Sequence, residues 1–116
     1  MELNDLQNRL FKFAVDVIKV ARRLPKGSDY LIISRQLIKS ATSSGANYDE
    51  AQGAVSKADF TNKVGISLKE MRESNYWIRI VIAVLDNHDD WISLNTESQE
   101  LMNILGSIYA KTSTPR

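Results

Sequence analysis

The 116 residues contain no cysteine, which excludes disulfides, thiol nucleophiles and cysteine-ligated metal. A single histidine, His88, excludes any site that needs two imidazoles from one chain. Five glycines and two prolines write few turns into the chain, so a few long elements are expected. The longest apolar run, Ile80–Leu85, is far short of the ~20 residues that span a bilayer, so no membrane partner is expected. The opening MELNDLQNRL has no basic stretch leading into an apolar one, so no signal peptide is expected and a cytoplasmic protein is the simplest reading. Glycine-rich phosphate loops and Gly-x-Ser-x-Gly elbows are absent.

What remains is ordinary globular composition, 43% hydrophobic and 25% charged. It fits one domain over residues 1–116, with a frayed tail at about 112–116. The net charge is +1, but it is unevenly spread. Residues 1–26 carry six basic and three acidic side chains, whereas residues 86–116 carry two basic and five acidic. A near-neutral total means that nucleic-acid binding would need a local patch.

Apolar residues recur every three or four positions over residues 3–24, from Leu3 and Leu6 through Phe13 and Val17 to Leu24. That is one stripe on a helix. Pro25, Lys26 and Gly27 end it. Ser28 or Asp29 can cap a second helix running to about Gln52. Its second half, Ser40–Ala46, has small side chains that allow a neighbouring helix to cross closely. Gly45 within it costs about 1 kcal/mol in helix propensity, which packing must offset.

Ser56 is the N-cap expected for a third helix, with Asp59 completing an approximate capping box. Phe60, Val64, Leu68, Met71, Asn75, Ile78, Ile82 and Leu85 form its stripe. The later half adds Trp77, Ile80, Val81 and Val84 on other faces, an apolar surplus that predicts contact between subunits. Residues 86–90 read as a polar connector, and Asn95 or Thr96 as the start of a last helix. The expected fold is all-α, an up-and-down antiparallel four-helix bundle.

Several polar residues could form a site. Arg35, Ser40, Asn47 and Glu50 surround the small-residue stretch, and Asp59, Lys69, Glu70, Glu73 and Tyr76 lie on the third helix. Antiparallel pairing would bring Arg35 or Lys39 near Glu73, and Glu50 near Lys63 or Lys69. The set is either a polar pocket or a structural network that fixes helix register. Glu70-x-x-Glu73 lacks the histidine of carboxylate-bridged metal sites, so no metal or other cofactor is expected. His88 with Asp89 and Asp90 lacks the features of a calcium loop. No nucleophile–base constellation remains, and no enzyme is expected. The first helix carries Arg9, Lys12, Lys19, Arg22, Arg23 and Lys26, a basic stripe able to hold phosphates. The alternative is a solvated face that pairs with the acidic last helix.

Two segments resemble a known family. Arg35-Gln36-Leu37-Ile38-Lys39-Ser40-Ala41-Thr42-Ser43-Ser44-Gly45-Ala46-Asn47-Tyr48-Asp49-Glu50-Ala51 is similar to the signature of the bacterial four-helix-bundle proteins named for the 23S rRNA intervening sequence. Ser56-Lys57-Ala58-Asp59-Phe60, Lys63, Leu68-Lys69-Glu70, Glu73-Ser74 and Tyr76-Trp77 resemble its second signature. The resemblance covers about residues 6–110. It implies a left-handed bundle assembled as a ring-like homopentamer, related to the basic accessory protein of diversity-generating retroelements. It supplies no catalytic residues. This chain departs from those accessory proteins in being nearly neutral.

Two functions follow as expectations. One is a non-enzymatic oligomer that binds RNA or a nucleoprotein partner through the basic face. The other is a protein-interaction scaffold that recruits a neighbouring gene product without touching nucleic acid, with Trp77 and Trp91 as possible anchors.

Overall fold

A computed structural model describes residues 3–86 and 88–114. Asn87 of the expected connector, Pro115 and Arg116 of the expected tail, and the side chain of Leu3 lie outside the described residues. Four helices follow one another: α1 (Leu3–Ala21), α2 (Ser28–Ala51), α3 (Lys57–Val84) and α4 (Asp89–Ser113). Each packs on its two neighbours, α1 on α2, α2 on α3, α3 on α4 and α4 on α1. Short connectors make consecutive helices antiparallel, so the result is an up-and-down bundle about 50 Å long. The core is built from the apolar stripes. Leu6, Leu10, Phe13 and Val17 of α1 meet Leu37, Ala41 and Tyr48 of α2, Val64, Met71, Ile78 and Val81 of α3, and Leu101 and Leu105 of α4.

Local chemistry sets the helix ends. The α2 N-cap is Gly27 rather than Ser28 or Asp29. Its φ of 156° and ψ of 151° lie in a region essentially restricted to glycine. A Cβ there would sit 2.9 Å from the Asp29 carboxylate. The Gly27 carbonyl accepts the first helical hydrogen bond from Leu31 N–H. At α3 the expected cap forms, with Asp59 N–H donating to Ser56 Oγ at 3.0 Å. The Asp59 carboxylate reaches back to Val55 N–H, one residue before the reciprocal partner of a standard capping box.

The start of α4 corrects the sequence reading. The helix begins at Asp89, six residues before Asn95. Trp91, Leu94, Ser98, Leu101 and Leu105 are buried at spacings of three and four, one continuous inward face. Asp89 and Asp90 stand in the first turn, where carboxylates complement the helix dipole. The Thr96 hydroxyl donates to the Ile92 carbonyl within the helix instead of capping it. The tail is likewise shorter than expected, because Thr112 and Ser113 are still helical.

α2 and α3 share the most extensive contact in the bundle, and the small residues explain it. Ser44 Oγ donates to the Ser67 carbonyl at 2.8 Å, and Ser67 Oγ donates back to the Ser44 carbonyl at 2.7 Å. Ser40 Oγ lies 2.8 Å from Ser74 Oγ. All four serines are fully buried, so each hydroxyl exchanges water for a protein partner and the backbones close up. On the other flank, Gly45 packs against α1, where an added Cβ would lie 3.6 Å from the Leu10 carbonyl oxygen. Helix α2 therefore runs unbroken through its small-residue segment.

Candidate nucleic-acid interface

The basic stripe of α1 divides into two groups. Arg9 is met by α4. Its Nη2 donates to Glu97 Oε1 at 2.6 Å and its Nε to Glu97 Oε2 at 3.1 Å, with Glu100 3.1 Å away. The Glu97 carboxylate raises the Arg9 guanidinium above its ordinary pKa. Lys12 pairs with Asp16 one turn on, which raises its pKa too. Arg23 pairs with Asp90 at 3.0 Å. Lys19, Arg22 and Lys26 are exposed and have no ion pair among the described residues. α1 ends at Ala21, so Arg22, Arg23 and Lys26 stand in the connector after it rather than on the helix, and the unpaired cations Lys19, Arg22 and Lys26 gather around that end with the paired Arg23 among them.

Of the signature polar residues, Ser40 and Glu50 join α2 to α3, whereas the others bond within or cap their own helix or face outward. Glu50 accepts from Lys63 at 3.0 Å, one of the two partners expected for it. Ser40 belongs to the α2–α3 seam. The Asn47 amide donates to the Ser43 carbonyl of its own helix. Glu73 accepts from the Trp77 indole at 3.2 Å and has no ion pair with Arg35 or Lys39, which are exposed. Tyr76 is exposed, packs edge-on against Trp77 and carries the Arg79 guanidinium over its ring. Glu70 gives its backbone carbonyl to Ser74 Oγ. Lys69 points outward without an ion pair among the described residues. For Ser40 and Glu50 the contacts are those of a register network.

A second network joins α3 to α4 through Asn75, a polar residue of the third helix whose partners on α4 the sequence reading did not foresee. Asn75 donates to Asn95 Oδ1 at 2.7 Å and to Ser98 Oγ at 2.8 Å, and accepts from Arg79 Nε at 2.9 Å. It ties α3 to α4. An asparagine within the apolar stripe of α3 was its signal, but its partners lie 20 and more residues away.

The expected subunit-contact residues also separate. Val81 is fully buried in the core of its own bundle, so it cannot also face a second subunit. The α3 stripe is simply broader than a single heptad row, because α3 packs on both α2 and α4. Trp77 and Ile80 are half-buried against the core, whereas Val84 is exposed. Leu31, Ile32 and Ile92 are exposed as well, and the antiparallel topology puts them at the same end of the bundle as Val84.

Among the described residues, no group of three or more His, Cys, Asp or Glu side chains could hold a metal ion. No described helix is long and apolar enough to cross a membrane.

The fold and its seams define an antiparallel four-helix-bundle protein joined by small-residue packing and buried serines. The chain belongs to the 23S rRNA-intervening sequence protein family, whose model matches residues 2–107. A crystal structure of a protein with unknown function from the S23 ribosomal protein family of Bacteroides thetaiotaomicron is similar, at 34% identity and a TM-score of 0.84. That match covers 95% of this chain and 99% of the other. No curated protein matches the chain.

Proposed function

We propose that this chain is a non-enzymatic, self-associating bundle that binds RNA, alone or within a nucleoprotein partner, through the cationic end of α1. The observation that carries the reading is the split of the stripe. Arg9, Lys12 and Arg23 are neutralised by carboxylates, while Lys19, Arg22 and Lys26 stay exposed and unmatched among the described residues. Solvated cations at the end of α1 and in the connector after it attract phosphates by releasing counterions. Self-association would repeat that end in each subunit. Exposed Leu31, Ile32, Val84 and Ile92 support self-association, since exposed apolar side chains gain from being covered.

The test is titration of a structured RNA and a matched duplex DNA at low and near-physiological salt, for wild type and for Lys19→Glu/Arg22→Glu/Lys26→Glu. The reading expects salt-sensitive RNA binding that the triple variant loses. Unchanged affinity in the variant removes the α1 end as the contact. Absence of RNA binding at low salt, with recovery of one defined protein partner by the exposed apolar end, would favour the scaffold instead.

A further inference from the structure

We propose that the groove between the first half of α3 and the last turns of α4 seats a single-stranded segment of RNA, an inference that rests on the RNA-binding reading above. A cavity of about 980 Å³ opens there. Three cations line it, Lys57, Lys69 and Arg72, and no carboxylate does. None of the three has an ion pair among the described residues. The facing stretch of α4, residues 101–113, contains no acidic residue at all. This is the reverse of the α1 face, where α4 supplies Glu97 and Glu100.

Spacing makes it a track. Positions 57, 61, 65, 69 and 72 fall on one face of α3, and Lys57 and Arg72 lie about 22 Å apart at a rise of about 1.5 Å per residue. Cations along that length match a run of phosphates better than one isolated anion. An aromatic ring stands in the same groove. Tyr109 is 40% exposed, and the Cδ1–Cε1 side of its ring fills the place that a Cβ on Gly65 would take, with Cε1 only 2.8 Å from that position. Gly65 is therefore what lets the ring lie against α3. A groove between adjacent helices is too narrow for a duplex, but a single strand can follow it and splay a base onto an aromatic side chain.

Binding of a fluorescein-labelled, unstructured 12-nucleotide RNA tests this, measured by anisotropy over a series of salt concentrations. Three proteins are compared with wild type: Lys69→Glu/Arg72→Glu, Gly65→Ala, and the α1-end triple variant. The groove predicts that Lys69→Glu/Arg72→Glu weakens binding and makes the slope of log K against log salt shallower by about 1.4. Gly65→Ala should displace Tyr109 without unfolding α3, because alanine is the better helix former, and should lower affinity roughly tenfold. Thermal melts of both variants confirm that the bundle persists.

Wild-type binding that survives both groove variants and fails only in the α1-end variant overturns the groove and leaves the function standing. Failure of wild type to bind the 12-nucleotide RNA while it binds the structured one overturns the groove alone, and failure to bind either RNA overturns both. A change in oligomeric state by sedimentation in Lys69→Glu/Arg72→Glu would make the groove a contact between subunits, and the proposal falls.

Discussion

α3 meets its two neighbours in opposite ways. Toward α2 it presents Ser67 and Ser74, whose hydroxyls are buried and consumed by Ser44 and Ser40. Toward the end of α4 it presents Gly65, Lys69 and Arg72, which line an open groove with Tyr109. Both sides are polar in sequence. The difference lies in reach and in partners. A serine hydroxyl is short and finds a carbonyl across a close seam, so polarity there closes the interface. Lysine and arginine are long and find no carboxylate across the groove, so polarity there keeps the surface wet and charged. Residue type alone does not separate a packing contact from a binding surface; the facing helix does.

The comparison can be broken most sharply at the closed seam. Ser44→Leu should overpack it and remove the hydrogen bond that Ser44 Oγ donates to the Ser67 carbonyl, destabilising the fold by about 3 kcal/mol in urea unfolding. A near-neutral result would mean that α2 and α3 are not closely packed there. A smaller effect is expected at the paired part of α1. Arg9→Ala removes a two-pronged contact with Glu97 that is about one-third exposed, so the loss should be only about 0.5–1 kcal/mol.

Tyr48 sharpens the point from inside the core. Its phenol is buried without a hydrogen-bond partner among the described residues, and burial pushes its pKa up. Tyr48→Phe should therefore leave stability unchanged or raise it by up to about 1 kcal/mol. A clear loss of stability would reveal a partner for that hydroxyl. The smallest effect belongs to the open groove, where Lys69→Ala should change stability by less than about 0.5 kcal/mol.

Much of the fold was legible from period and caps. The stripes of α1 and α3, the continuation of α2 through Gly45, the Ser56 cap and the Glu50–Lys63 pair all follow from spacing and side-chain chemistry. The start of α4 was not, because Asp86, His88, Asp89 and Asp90 read as a loop when a first helical turn also welcomes carboxylates. Ser98 inside the inward row hid the periodicity that Trp91 and Leu94 begin. Val81 looked like surplus because sequence gives no count of the neighbours a helix has. The split of the basic stripe was open to the alternative of pairing with α4, and that pairing holds for Arg9 and Arg23. The groove stayed invisible. On α3 alone, Lys57, Lys69 and Arg72 look like a solvated face, and Tyr109 joins them only through the fold.

The most direct test of the central claim is the salt dependence of RNA association by the unmodified protein, followed from about 50 to about 200 mM salt. A cationic surface with at least three phosphate contacts predicts a log–log slope of about −2 or steeper. A slope near zero, or no association at the lowest salt, would contradict it.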